Sequence, residues 1–167
     1  MNNTAKFGMK TIKDILELFP LTAEKDWKKH PNGGGWVQTT AKVSDSCYIE
    51  GIVSGSALVS GDAQVYGNAQ VYGNALVYGA VRVSGDAQVY GNAQVSGDAQ
   101  VSGYAWVSGS ALVYGSAQVS GDAQVSGDAQ VSGYAQVSGY AQVSGDAQVS
   151  GYAWVSGSAQ EIGRAHV

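Results

Sequence analysis

The amino-acid sequence predicts an all-β solenoid, a fold built from stacked repeats. Eighteen valines stand six residues apart without a miss, from Val53 to Val155. Glycine is the third residue of every one of these units, from Gly55 to Gly157. A fixed six-residue period cannot enclose a compact core, because each unit buries its apolar side only by stacking on a neighbour.

Each six-residue unit, typified by V-S-G-D-A-Q, reads as one short strand and one corner. In the Ala-Gln-Val part, Ala and Val fall on one face of a strand and Gln on the other. The Ser-Gly-Asp part is typical of a turn, because Gly accepts positive φ and Asp bonds to nearby backbone. Ala80 and Val81 are exceptions at the fourth and fifth positions. A helix is disfavoured, since one Gly in six costs about 1 kcal/mol each time.

The triplet Ala63-Gln64-Val65 and its relatives resemble the hexapeptide-repeat proteins, whose fold is a left-handed parallel β-helix. The resemblance covers about two thirds of the chain, and it implies three hexapeptides per triangular coil, so that each residue stacks on its counterpart three units away. Many acyltransferases of that family carry Gly, Ala, Glu or Asp after the aliphatic residue, whereas Ser or Tyr stands there in this chain. The V-Y-G-N-A-Q units are similar instead to degenerate repeats of bacterial and bacteriophage members without an assigned activity.

Residues 1–35 lack the six-residue period and are expected to form a helical cap and loop. Thr11 and Asp14 have the spacing of a capping box, and Pro20 ends the helix that they begin. One apolar stripe follows this start, formed by Ile12, Ile15, Leu16 and Phe19. A cap is needed because an open solenoid end exposes core and unpaired strand edges.

The entry into the repeats is predicted to be irregular. A second short helical stretch is expected at 23–29 and a loop at 30–35, before a β-helix over 36–160. After Ile49 the next inward aliphatic residue is Val53, only four positions later. We interpret this spacing as one omitted corner and one longer strand.

Residues 161–167 depart from the repeat where the pattern demands Val. Their sequence, E-I-G-R-A-H-V, is reproduced by the translation of a common sequencing adapter read after one G. We therefore expect this tail to be an artefact, and the natural protein to continue with further repeats.

Composition excludes several classes of function. Charged residues make up 13% of the chain and the net charge is −4, which argues against nucleic-acid binding. Cys47 occupies an inward position and is expected to be a buried hydrophobe. The sequence shows neither a membrane-length apolar run nor a signal peptide, so we expect a cytoplasmic or virion-associated protein without a membrane partner.

No catalytic, cofactor-binding or metal-binding residues are predicted. Acyltransferases of the resembled family use a His as base, but His166 lies in the suspect tail and His30 is expected to be an exposed loop residue outside the coils. Among the corner aspartates only Asp128 and Asp146 become direct neighbours when every third unit stacks, which leaves a cation between them as an alternative.

The predicted function is a non-enzymatic structural or interaction rod. The candidate interaction surface comprises Leu58, Leu76, Leu112, Tyr134 and Tyr152. The face that carries Leu58, Leu76 and Leu112, called here the Leu-bearing face, would bind a protein partner or form a homo-oligomer such as a trimer. Two alternatives stay open: an acyltransferase-like protein using acyl-coenzyme A, and a glycan-binding fibre segment that uses exposed Tyr and Trp. The residue pair Tyr134 and Tyr152 provides a geometric test, since three units per coil would place one on the other.

Overall fold

A computed structural model describes residues 11–163, which form a parallel β-solenoid of about seven coils. Each coil contributes one strand to each of three sheets, called here faces A, B and C in chain order. Face A contains β1 Trp27–Lys29, β2 Trp36–Gln38, β5 Ile52–Val53, β8 Gln70–Val71, β11 Gln88–Val89, β14 Trp106–Val107, β17 Gln124–Val125, β20 Gln142–Ser144 and β23 Gln160–Ile162.

Faces B and C each have seven strands. Face B contains β3 Lys42–Val43, β6 Leu58–Ser60, β9 Leu76–Gly79, β12 Gln94–Gly97, β15 Leu112–Val113, β18 Gln130–Val131 and β21 Gln148–Val149. Face C contains β4 Tyr48–Ile49, β7 Gln64–Val65, β10 Arg82–Val83, β13 Gln100–Val101, β16 Gln118–Val119, β19 Gln136–Val137 and β22 Trp154–Val155.

The register confirms three hexapeptides per coil. Val101 pairs with Val83 on one side and with Val119 on the other, each of them three hexapeptide units away in the sequence. The backbone N–H of Gln100 donates to the carbonyl oxygen of Ala117 at 2.9 Å, and this bond recurs along every face. The left hand of the coil remains a prediction of the resemblance.

The core is a single column of Val and Ala that runs the length of the repeats. Both apolar residues of the strand triplet are fully buried in nearly every unit, as at Ala99 and Val101. Val81 takes the usual place of Ala and is equally buried. Each buried Val contributes roughly 1.5–3 kcal/mol, which accumulates only while the coils stay stacked.

From Gly55 onward, each corner depends on a glycine with positive φ. At Gly103 φ is 72°, and an added Cβ would lie 2.9 Å from both the backbone nitrogen and the backbone oxygen of Gly121 in the next coil. A side chain is therefore excluded twice, by the left-handed conformation and by the neighbouring backbone.

The first coil is shorter than the others, and the prediction of a longer strand after Ile49 is wrong. Ile52 pairs with Gln70, a full coil of three hexapeptides ahead, whereas Tyr48 pairs with Gln64, two residues short of a full coil. Faces C and A remain separate here, and the chain bends between them at Glu50 and Gly51. This corner is tight because Gly51 lies directly against the carbonyl oxygen of Ala69, where a Cβ would not fit.

The amino-terminal helix forms as predicted and packs on face A. Helix α1 spans Ile12–Leu18, with a capping box between Thr11 and Asp14. Ile15 is fully buried against Trp27 and Ile52, so the helix covers the outward side of the first coil. Residues 1–10 of the predicted cap lie outside the described residues. No helix within residues 11–163 is long and apolar enough to cross a membrane.

The predicted second helical stretch at 23–29 is largely wrong. Only Glu24–Asp26 forms a 3-10 turn, and Trp27–Lys29 is strand β1, which pairs antiparallel with Trp36–Gln38. This added strand covers the free edge that face A would otherwise present at its first coil.

Candidate interaction surface

Tyrosines at the same position of every third unit stack along the rod, as the sequence predicts. The rings of Tyr134 and Tyr152 have centroids 5.2 Å apart and planes within 5° of parallel. Tyr72 and Tyr90 repeat the arrangement at another corner, at 5.0 Å and 2°. Parallel rings at this distance follow from the axial spacing of roughly 4.8 Å between strands.

A third aromatic side chain, on strand β22 of face C, joins the Tyr134–Tyr152 pair, which lies at the corner between faces B and C. Trp154 follows Tyr152 by two positions and is the first residue of β22, so both exposed side chains lie close to the beginning of this strand. The indole N–H of Trp154 donates to the hydroxyl of Ser138 at 3.3 Å, which ties the ring to the preceding coil. The exposed fractions of Tyr134, Tyr152 and Trp154 are 59%, 85% and 70%. We call these three residues the face C aromatic cluster.

The surroundings of the face C aromatic cluster are polar but uncharged. Residues 129–145 and 147–160 contain no Asp, Glu, Lys or Arg. Asp128 and Asp146 lie at the corner between faces A and B, which is opposite face C. Within residues 11–163 the exposed amide of Gln136, beside Trp154 in the sheet, makes no side-chain hydrogen bond. The cluster therefore combines apolar rings with hydrogen-bonding groups that are free to contact a ligand.

The same local sequence occurs a second time, on face A. The segment V-S-G-Y-A-W-V-S-G-S-A stands at 101–111 and again at 149–159. In the first copy Tyr104 and Trp106 are exposed, but the axial neighbours of Tyr104 are Asp86 and Asp122 instead of another Tyr. This repeated segment is the sequence feature that places a Trp two residues after a Tyr, which single outward residues do not reveal.

The Leu-bearing face forms only a short apolar stretch. Leu58 pairs with Leu76 on face B, and Gln94 separates Leu76 from Leu112. Leu58 is exposed, while the other two leucines are half-buried. The structure therefore brings two of the three predicted leucines into neighbouring positions and separates the third from them by one coil.

His30 is buried, and the prediction of an exposed loop histidine is wrong. Its Nε2 lies 3.1 Å from the carbonyl oxygen of Ser44, and its Nδ1 lies 3.0 Å from the carbonyl oxygen of Asn32 and 3.3 Å from the backbone nitrogen of Asn32. The side chain is only 4% exposed. His30 thus connects the cap loop to the first coil, and both ring nitrogens are engaged in that connection.

Cys47 is buried in the core, as predicted. Its Sγ lies 3.5 Å from the carbonyl oxygen of Gly61, to which the thiol can donate. Burial is the main cause that raises the pKa of the Cys47 thiol above its ordinary value. The neutral thiol is therefore the favoured form, which suits a packing residue better than a nucleophile.

Polar corner residues pair along the rod. The side-chain amide of Asn68 donates to the carboxylate of Asp86 at 3.1 Å, and that of Asn74 donates to the carbonyl oxygen of the Asn92 side chain at 3.2 Å. Among residues 11–163 no group of three or more His, Cys, Asp or Glu side chains could hold a metal ion. The two hydrogen bonds connect equivalent corners of neighbouring coils, and a cation between Asp128 and Asp146 stays a prediction.

A shallow polar groove lies at the amino-terminal end of face C. It is lined by Asn32, Ser46, Tyr48, Asp62 and Gln64. Asp62 supplies the one carboxylate of this lining.

Comparison with known proteins identifies the type of repeat. The profile of the YdcK Beta solenoid repeat matches residues 69–85, 87–103, 93–109, 123–139 and 141–160. Two of these segments overlap at an offset of one hexapeptide, as expected for a repeat of this period. Searches of curated proteins and of solved structures returned no match.

Proposed function

We propose that this chain, a β-solenoid protein whose repeats match the YdcK family, is a rigid, non-catalytic rod that holds interaction surfaces at fixed spacing. The observation that carries the proposal is the continuity of axial hydrogen bonding. The N–H of Asp98 at a corner donates to the carbonyl oxygen of Gly115 at 2.8 Å, just as Gln100 on the adjoining strand donates to Ala117. Corners bonded as regularly as strands leave little freedom for bending.

His30 and Cys47, whose side chains could act as a general base and as a nucleophile, support the non-catalytic part of the proposal. His30 uses both ring nitrogens in contacts to the backbone of its own chain. The Cys47 thiol is buried and held neutral. A general base or nucleophile must instead face a substrate with a free reactive atom.

Rigidity is tested by the distance between two spin labels on one corner column. Ser56 and Asp146 are exposed and lie five coils apart, so their Cα atoms should be roughly 24 Å apart at one strand spacing per coil. Both are changed to Cys in a Cys47→Ala background, in which Ala replaces Cys at a position that holds Ala in most other units. A narrow distance distribution centred near this value, after allowance for the label, supports a rod. A broad distribution would show that the coils move independently.

The acyltransferase alternative is tested on the same protein by thermal melting with acetyl-coenzyme A. A ligand that binds the folded state raises the melting temperature by mass action. We expect no shift at ligand concentrations up to the millimolar range. Stabilisation by acetyl-coenzyme A, with acetyl transfer to an amine or hydroxyl acceptor, would refute the proposal of a non-catalytic rod and favour the acyltransferase alternative.

The Leu-bearing face is proposed as a contact for a second copy or a protein partner. Leu58 and Leu76 supply adjacent apolar side chains on this face, which supports such a contact. If copies associate there, sedimentation should show an oligomer that Leu58→Gln with Leu76→Gln dissociates. The resemblance to phage-type repeats extends this proposal to a cytoplasmic or virion-associated protein.

A further inference from the structure

We infer that the face C aromatic cluster is a binding site for a neutral polysaccharide chain. This inference rests on the proposed function, because it gives the rod a ligand. The site consists of Tyr134, Tyr152 and Trp154, with Gln136 and Ser138 between and beside them. It spans the corner between faces B and C and the outward side of β19 and β22, which are hydrogen-bonded neighbours.

The rings provide the apolar part of such a site. The C–H faces of a pyranose ring pack on aromatic rings, and Tyr and Trp also carry a polar edge. Here Trp154 is 70% exposed although its indole N–H is anchored on Ser138. Anchoring fixes the ring before any ligand arrives, and preorganisation of this kind lowers the entropy lost on binding.

Hydrogen-bonding groups of both kinds surround the rings. The Gln136 amide offers two donors and one acceptor oxygen, and the hydroxyls of Tyr134 and Tyr152 can each donate and accept. No side-chain hydrogen bond occupies these groups within residues 11–163. Sugar hydroxyls need partners that donate and accept, and this set supplies both.

Charge selects a neutral ligand over an anionic one. The stretches 129–145 and 147–160 hold no charged residue, so no cation is at hand for a carboxylate or sulfate. Asp side chains stand at corners elsewhere in the array, and Arg82 is the one basic residue among the regular repeat units. An anionic chain would therefore meet repulsion without local compensation.

The first copy of the Tyr-Ala-Trp sequence provides a matched control. Tyr104 and Trp106 have the same local sequence and strand geometry as Tyr152 and Trp154. Tyr152 stacks on another tyrosine, whereas Tyr104 has an aspartate as its axial neighbour on each side, Asp86 and Asp122. Face A should thus bind a neutral chain much more weakly than face C.

The experiment is affinity electrophoresis of the full chain in native gels. The gels contain hydroxyethylcellulose, dextran or glycogen as neutral probes, or carboxymethylcellulose as the anionic relative of the first. We expect retardation by at least one neutral probe and none by carboxymethylcellulose. Retardation should persist at high salt, because neutral contacts are not screened.

Two double variants then locate the site. Tyr152→Ala with Trp154→Ala should weaken binding by roughly tenfold or more, given two lost stacking contacts. Tyr104→Ala with Trp106→Ala should leave binding unchanged. All four side chains are exposed, so circular dichroism should show both variants folded. Equal losses in the two variants would overturn the proposal, as would failure of every neutral probe or a preference for carboxymethylcellulose.

A protein partner is distinguished in the same set of variants. If face C binds a second copy, sedimentation will show an oligomer that Tyr152→Ala with Trp154→Ala disrupts while no neutral probe retards the protein. That outcome would overturn the proposal of a polysaccharide site and would show that the same residues form a contact between two copies of the chain. The spin-label distance between Ser56 and Asp146 would be unaffected in either case. The proposal of a rigid rod is therefore tested independently of the proposal of a polysaccharide site.

Discussion

Replacing corner glycines by alanine should separate two costs that the coils impose on these positions. Gly103 and Gly157 have nearly the same backbone conformation, with φ of 72° and 67°. An Ala at Gly103 would place its Cβ 2.9 Å from the backbone of Gly121, whereas an Ala at Gly157 would meet no atom within 4 Å among the described residues. The two variants thus share the conformational strain and differ in the clash.

The expected magnitudes follow from those two contributions. Left-handed φ costs an Ala about 1–2 kcal/mol relative to Gly, and this applies to both variants. Forcing a methyl group into a packed site adds about 1–3 kcal/mol, and this applies to Gly103→Ala alone. The reduced entropy of the unfolded chain is the same for both and cancels. Gly103→Ala should therefore be the more destabilising variant by about 1–3 kcal/mol.

Urea unfolding followed by far-UV circular dichroism gives the comparison. Because a repeat array can unfold from its ends, Val155→Ala is needed as a control in the same coil as Gly157. Val155 is 3% exposed, so a loss of about 2 kcal/mol or more would show that this coil contributes to stability. With that control satisfied, equal effects of the two Gly variants would refute the conclusion that close approach between coils constrains the corners.

Three further predictions test the core, the cap and the buried thiol. Val101→Asp should lower the free energy of unfolding by more than about 4 kcal/mol because it buries an unpaired charge, while Gln100→Ser should change it by less than about 0.5 kcal/mol; equally mild thermal melts would contradict the inward position of Val101. His30→Ala should cost about 1–3 kcal/mol because it removes the ring contact to the Ser44 carbonyl oxygen and leaves the backbone N–H of Asn32 without its partner, and hydrogen exchange should show lower protection of that N–H; unchanged exchange would contradict the connecting role. The raised pKa of Cys47 means that its contribution to the free energy of unfolding is present below the ordinary value of 9.0 and is lost as pH rises through the folded pKa. Urea unfolding at a series of pH values should therefore show that the free energy of unfolding falls more steeply above pH 9.0 in the parent protein than in Cys47→Ala. Parallel curves for the two proteins would contradict this.

The repeat array could be predicted because its information is local and periodic. The six-residue spacing of Val defined the inward column, and three units per coil then placed Tyr134 on Tyr152. The helix start was equally local, since Thr11 and Asp14 bond to each other within one turn. The adapter origin of residues 161–167 stays a prediction, with 164–167 outside the described residues.

The errors fell where contacts distant in sequence decide the conformation. Trp27–Lys29 is a strand because it pairs with Trp36–Gln38, although its composition was compatible with a helix. The short corner at Gly51 depends on the approach of Ala69 from the next coil. His30 is buried because its ring reaches the carbonyl oxygen of Ser44, which lies in the first coil. None of these contacts has a periodic signature.

Identical local sequences have different surroundings in this fold because each coil contains three hexapeptides. The two copies of the Tyr-Ala-Trp sequence are separated by eight hexapeptides. Eight is not a multiple of three, so the copies fall on different faces, with Trp106 on A and Trp154 on C. Their axial neighbours come from the unit three hexapeptides away, which gives Tyr152 a stacked Tyr134 and gives Tyr104 two aspartates. A binding site on such a rod is therefore specified by the register between coils, and a motif read in one unit alone does not reveal it.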